Sequence, residues 1–141
     1  MGLKLALKAG ERFVVNGAVM VNGDRRSVLV VENQAAILRD RDIMQADEAN
    51  TPARRVYFAL MCAYLDPDNR DEYLPRFADL MADFLGVIMN ADIRATCVVV
   101  SEFVLAGDFY QALGKVRALI AYEDKLLGTA AVPAPLAAAC R

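Results

Sequence analysis

The 141-residue chain has no histidine and no tryptophan. Without an imidazole there is no Ser–His or Cys–His nucleophile pair, no histidine general base and no His-containing metal site. Its three cysteines, Cys62, Cys97 and Cys140, are far apart and odd in number, with no CxxC pair among them. That pattern excludes a zinc ribbon, and a structural disulfide is not expected of a cytosolic chain. Cys62 and Cys97 fall in apolar helical runs and read as small buried hydrophobes. Apolar residues make up 57% of the chain, yet no run approaches the roughly 18 residues of a membrane-spanning helix. The N-terminus alternates lysine with leucine and lacks the apolar stretch and cleavage site of a secretory signal, so the expected compartment is the cytoplasm. Gly10, Gly17 and Gly23 sit in turns between strands and match no phosphate-cradling loop.

Charge of one sign is also lacking. The net charge is −2, which argues against simple electrostatic binding to nucleic acid. Its distribution is more informative. Residues 1–55 hold nine Lys/Arg against seven acids, and residues 56–141 hold seven against eleven. The first part is thus weakly basic and the second acidic, a pattern open to two readings, a basic binding face or ordinary solvated surface.

Before Asn50 the chain reads as short strands and tight turns. Leu3-Lys4-Leu5-Ala6-Leu7-Lys8 alternates like a half-buried strand, and Ala9-Gly10-Glu11 turns it. Arg12 to Asn16 is a second strand, closed by the hairpin signal Asn16-Gly17, and Ala18 to Val21 is a third. Asn22-Gly23 repeats that signal and Asp24-Arg25-Arg26 lengthens the loop, before Ser27 to Val31 forms a fourth strand. Ala35 to Leu38 is a fifth, running into Arg39-Asp40-Arg41-Asp42. About five short strands with close turns predict a meander or small barrel, too small to bury much core alone.

After Asn50 the helical period takes over. Thr51-Pro52 is an N-cap followed by a first-turn proline, opening a helix from about Pro52 to Leu65 that is apolar nearly all round. A second spans about Asp71 to Met89, with Tyr73, Phe77, Leu80, Met81, Phe84 and Ile88 on one stripe and Pro75 placed in its first turn. A third covers about Asp92 to Leu105 and absorbs Val98-Val99-Val100, because Ile93, Cys97, Val100, Phe103 and Val104 keep helical spacing. Phe109 to Leu127 is a fourth, with Phe109, Leu113, Val116, Ile120 and Leu127 inward and Gly128 as its stop. The expected fold is therefore α+β, a small antiparallel β subdomain over residues 1–50 and an all-helical one over 51–128. Residues 129–141, alanine and proline with almost no charge, are expected to be disordered.

Carboxylate pairs (Asp40/Asp42, Asp66/Asp68, Asp79/Asp83) read better as solvated surface or helix stops than as acid–base machinery, so neither an enzyme nor a cofactor is expected. Binding chemistry rests on arginines. Arg25-Arg26, at the tip of a hairpin, suits phosphate or base contacts, against the plain reading of a solvated turn. Strand alternation aims Arg39 and Arg41 one way and Asp40 and Asp42 the other, against the reading of a charge-protected edge. Arg54-Arg55 opens a helix, where the dipole disfavours cations, and points to a partner or to an acid elsewhere in the chain.

These residues resemble a known family. Lys8-Ala9-Gly10-Glu11-Arg12-Phe13, Asn16-Gly17-Ala18-Val19, Asn22-Gly23-Asp24-Arg25-Arg26, Glu32-Asn33-Gln34, Leu38-Arg39-Asp40-Arg41-Asp42-Ile43-Met44, Thr51-Pro52-Ala53-Arg54-Arg55-Val56-Tyr57-Phe58 and Leu119-Ile120-Ala121-Tyr122-Glu123-Asp124 look like FlbT, and the likeness runs nearly to Gly128. The resemblance implies a cytoplasmic post-transcriptional regulator that associates with the 5′ untranslated region of flagellin mRNA and lowers its translation or stability. The first 44 residues are also similar to CsrA, a small translational regulator. The likeness lies in the Gly10-Glu11 turn and in Ile37-Leu38-Arg39-Asp40-Arg41-Asp42-Ile43, with leucine at that motif's histidine position. In CsrA the motif's arginine and the first strand form the RNA surface across a strand-exchanged dimer, which by position implies Arg39, Lys4 and Leu5.

The sequence thus nominates Arg39, Arg41, Arg25, Arg26 and Lys4 for RNA, in a homodimer without DNA, membrane or metal partners. The competing class is a regulator that binds another flagellar regulatory protein or flagellin without touching RNA. Low net charge and the lack of exposed aromatic stacking platforms favour that second class.

Overall fold

Asn16 and Gly17 both take positive φ, 52° and 86°, the backbone that a two-residue type I′ hairpin requires. They join β2 (Arg12–Val15) to β3 (Ala18–Val21), with Val15 paired to Ala18. The computed structural model describes residues 2–128, so the tail expectation for 129–141 falls outside the described residues, as does Cys140. The architecture is α+β, five short strands followed by four α-helices. The chain divides into two compact units between Ile43 and Met44.

In the first unit, β2 carries β5 (Ile37–Arg39) on its other side, Phe13 opposite Arg39, giving the antiparallel order β3-β2-β5. β1 (Leu3–Leu7) pairs separately with β4 (Ser27–Val31), from Leu3 opposite Val31 to Leu7 opposite Ser27. Leu5, Leu7, Phe13 and Ile37 form the buried cluster, flanked by Val15, Val31 and Ala35. The expected meander is therefore not what forms, because β3 and β4 lie in different sheets. Nor do Arg25 and Arg26 cap a hairpin. Gly23 is not among the positive-φ residues, and the Asn22 side chain is committed to tying the loop rather than to a tight turn.

The fifth strand begins later than expected and stops at Arg39. Asp40–Asp42 is a 3-10 turn closed by the Ile43 amide donating to the Asp40 carbonyl at 3.2 Å. Three residues per turn replace alternation, so the expected pairing of Arg39 with Arg41 on one side does not hold. Asp42 is buried while Asp40 and Arg41 are exposed.

The second unit is built on α1 (Pro52–Leu65). The Thr51 hydroxyl accepts the Arg54 amide at 3.3 Å, and Pro52 fills the first helical position. Ala53, Val56, Tyr57, Ala59, Leu60, Met61 and Ala63 are all buried, as an all-round apolar helix requires. This helix packs on both α2 (Arg70–Val87) and α4 (Phe109–Leu126), and α3 (Ala91–Leu105) packs on α4.

α2 starts early enough that Pro75 lies beyond its first turn, a departure from the expected placement. Pro75 has no N–H for the Asp71 carbonyl, at a helix cost of up to about 3 kcal/mol that tertiary packing of Phe77, Met81 and Phe84 offsets. α3 is capped by Asn90, whose side-chain oxygen accepts the Asp92 and Ile93 amides at 2.9 and 3.1 Å. It ends at Gly107, φ 81°, where the Asp108 amide reaches back to the Phe103 carbonyl at 2.8 Å in the manner of a Schellman stop. On α4, Phe109, Leu113 and Val116 are buried as expected, but Leu119 is also fully buried, whereas Leu127 is exposed. Among the described residues no helix is long and apolar enough to cross a membrane.

Candidate functional site

Arg39 ends β5 with its guanidinium turned onto Glu11. Nε donates to Oε2 at 3.1 Å, and Nη2 lies 2.9 Å from Oε2 and 3.1 Å from Oε1. The same Nη2 donates to the Ala6 carbonyl, so one side chain links β5, the β1–β2 turn and β1. Glu11 Oε1 also accepts the Lys8 amide at 2.9 Å. That backbone donor and the Arg39 guanidinium hold the Glu11 carboxyl below the usual carboxylate range.

A second organiser is Asn22. Its amide nitrogen donates to the Lys8 carbonyl at 2.7 Å and the Arg25 carbonyl at 2.9 Å, while its oxygen accepts the Ser27 hydroxyl at 2.7 Å. Backbone bonds from Gly10 to Gly23 and from Asn22 to Glu11, both 2.8 Å, bind the β1–β2 turn to the β3–β4 loop. The result is a corner at one end of β1 where the backbone at Lys8, Gly10 and Glu11 is tied to that at Asn22, Gly23 and Arg25, with the Arg39 guanidinium bound to Glu11. Arg25 and Arg26 are exposed, and neither has an ion-pair partner among the described residues.

The nominated residues are thus only partly brought together. The Arg25 carbonyl and the Arg39 guanidinium are both tied into the corner, and Arg26 follows Arg25 in its loop. Lys4 is exposed in the same strand but stands opposite Val30, three pairs from the Leu7–Ser27 end. Arg41 is exposed on the 3-10 turn after β5, with no hydrogen bond to the corner. Sequence reasoning passed over Lys8, Glu11 and Asn22. Asn22 was open to detection, since asparagine before a charged loop commonly bonds nearby backbone rather than forming a hairpin. Glu11 lies 28 residues from Arg39 and carried no such signal.

Two further features bear on binding. β3 and β4 each stand at the margin of a sheet with one edge unpaired, and Val19, Met20, Val21, Val28, Leu29 and Val30 are exposed there. Neither strand carries a lysine or proline to protect that edge. In the second unit, one of the two readings of Arg54-Arg55, an acid elsewhere in the chain, is met for Arg54. Arg54 is bidentate to Asp124, Nη1–Oδ1 2.8 Å and Nη2–Oδ2 3.1 Å, which leaves Arg55 exposed beside it.

Comparison with known proteins matches residues 3–127 to the family described as Flagellar protein FlbT. The chain is 52% identical over 128 residues to the probable flagellum biosynthesis repressor protein FlbT of Caulobacter sp. (strain K31), covering 91% of this chain and 98% of that protein. It is 48% identical to the flagellum biosynthesis repressor protein FlbT of Caulobacter vibrioides, covering 91% of each. It is 36% identical to the probable repressor of the same name in Rhodopseudomonas palustris, covering 90% of this chain and 98% of that one. No solved structure matches. With the family matched over nearly all of both units, the chain belongs to the FlbT family of flagellar proteins.

Proposed function

We propose that this chain is a non-enzymatic repressor of flagellum biogenesis that associates, in the cytoplasm, with the 5′ untranslated region of flagellin mRNA and lowers its translation or stability. The names of its relatives support repression of flagellum biosynthesis. The observation that carries the RNA reading is the Arg25-Arg26 loop, two exposed guanidiniums without an ion-pair partner among the described residues, on a backbone that Asn22 has already ordered. Pre-ordering lowers the entropy lost on binding, and guanidiniums suit phosphates and the unstacked bases of an RNA loop. Lys4 extends this surface along β1 and Arg41 lies after β5. Arg39 takes part with its orientation set by Glu11.

A homodimer goes with this reading. The first unit buries a four-residue apolar cluster, with Val14 and Leu38 buried besides, and leaves β3 and β4 apolar and open-edged, and a second copy offers the same strands in return. Light scattering at micromolar concentration checks this directly; a monomeric mass would defeat it.

Gel-shift titration of Arg25→Gln/Arg26→Gln against a flagellin leader tests the RNA surface. Weaker binding with a salt slope reduced by up to about two is expected. Unchanged affinity and slope would remove the loop from the site. Arg39→Ala and Arg41→Ala are titrated beside it.

One observation favours a second reading, a regulator that contacts another flagellar regulatory protein or flagellin instead of RNA. Phe13 is the only aromatic residue before Tyr57, and it is buried, so the first unit offers no ring on which a base can stack. Binding of the leader by purified protein at physiological salt separates the readings, because non-specific attraction fades there.

A further inference from the structure

Arg55, Phe58, Ala59 and Cys62 lie at i, i+3, i+4 and i+7 on α1, and face Tyr73, Arg76 and Leu80 at i, i+3 and i+7 on α2. With Ala49 they line a half-open cavity of about 260 Å³. Its floor is apolar, built from half-buried Phe58, Cys62, Tyr73 and Leu80. Both charged residues lining it, Arg55 and Arg76, are cations; no aspartate or glutamate lines it. Neither arginine has an ion-pair partner among the described residues, although Arg54 next door is fully engaged.

We propose that this cavity docks a partner protein's segment bearing one bulky apolar side chain beside a carboxylate. The volume suits one or two side chains, and charge complementarity selects the acid. A half-open cavity covers too little of a free small molecule to hold it well, since such ligands bury most of their surface when bound. An anchor carried on a peptide meets no such limit, because the rest of the segment contacts the helices outside. The site lies wholly within the second unit and does not rest on the RNA reading.

The test uses the full chain and three fluorescently labelled helical peptides of roughly 15 residues, each with one phenylalanine on a leucine–alanine face and polar positions of Glu, Gln or Lys. Anisotropy titration should show the Glu peptide binding about tenfold more tightly than the Gln peptide, and the Lys peptide weakest. Arg55→Gln/Arg76→Gln, two exposed positions, should bring the Glu peptide down to the Gln level with the circular dichroism spectrum unchanged. Bound Glu peptide should also slow alkylation of Cys62, followed on its own tryptic fragment. Equal affinity for Glu and Lys peptides, insensitivity to the double substitution, unprotected Cys62, or no binding by any peptide would each overturn the proposal. Saturable binding of decanoate without any peptide binding would reassign the cavity to small amphiphiles and overturn it too.

Discussion

Glu123 Oε2 accepts the Ala53 amide at 2.9 Å, joining the first turn of α1 to the last turns of α4 across seventy residues of chain. The carboxylate sits at the positive end of α1 and satisfies an amide that the helix itself leaves unpaired. It is only 5% exposed. Its other oxygen has no hydrogen bond but lies 3.8 Å from Arg54 Nη1, whose fork is closed by Asp124. Glu123→Ala should therefore destabilise the second unit by about 2–4 kcal/mol, since it strands a buried amide and breaks a charge network. Glu123→Gln, which keeps an acceptor, should cost less. Urea unfolding followed by helical circular dichroism decides this, and equal losses for the two variants would rule out the hydrogen bond as the cause.

Asn22→Ala should loosen the β3–β4 loop, costing about 1–2 kcal/mol for its lost side-chain bonds. Exchange of the Gly10 amide and of the backbone amide at position 22 should quicken while exchange in the second unit is unchanged. On the RNA reading, leader binding should weaken as well, although no cation has been removed.

Acid should loosen the first unit. The Glu11 carboxyl is held below its usual range by the Lys8 amide and the Arg39 guanidinium. A depressed carboxylate stabilises the fold above its ordinary pKa, and that contribution disappears as pH falls through the lowered folded value. Protection of the β2 amides, each rate being divided by the intrinsic exchange rate at that pH, should fall in the native chain between about pH 6 and pH 3. In Glu11→Gln protection should already be lower at pH 6 and respond less to acid; matching profiles for the two proteins would refute this.

Burial pushes the Cys62 thiol above the usual range, with Arg76 opposing in part, and burial also raises that of Cys97. Both thiols should react with iodoacetamide more slowly than free cysteine near neutral pH, because the thiolate is the nucleophile. Cys97, with no exposed surface, should be the slower. Peptide mass analysis of a time course reads the two rates separately.

Pro75→Ala should stabilise α2 by about 1 kcal/mol, the recovered bond to Asp71 outweighing the added freedom of the unfolded chain. A lower urea midpoint would mean that the ring's packing outweighs its missing amide.

Local signals account for what was legible in the chain. α1 was located from Pro52 to Leu65 because Thr51-Pro52 and Asp66-Pro67 mark both ends with residues whose backbone effects are strong and local. The α2 stripe was readable because burial repeats at helical spacing through Phe77, Met81 and Phe84. Sheet order was not. Asn16-Gly17 and Asn22-Gly23 are the same dipeptide, and what sets the second apart is its ties to distant partners, among them the Lys8 and Arg25 carbonyls and the Ser27 hydroxyl. Arg39 stood out as a charge, but its partner did not, because a pair 28 residues apart leaves no periodic trace. The cavity between α1 and α2 was hidden for the same reason. Its lining is ordinary amphipathic spacing on each helix and becomes a site only when the two faces meet.

The open edges of β3 and β4 bear on dosage. On the homodimer reading, a strand completed by a second copy ties the folding of the first unit to protein concentration, so its stability is not a constant of the sequence. At low abundance such a repressor gains competent form in proportion to roughly the square of its concentration. Modest changes in synthesis then become sharper changes in repression. The same bare valines also make overproduction hazardous, because an unprotected apolar edge accepts a wrong strand as readily as a right one.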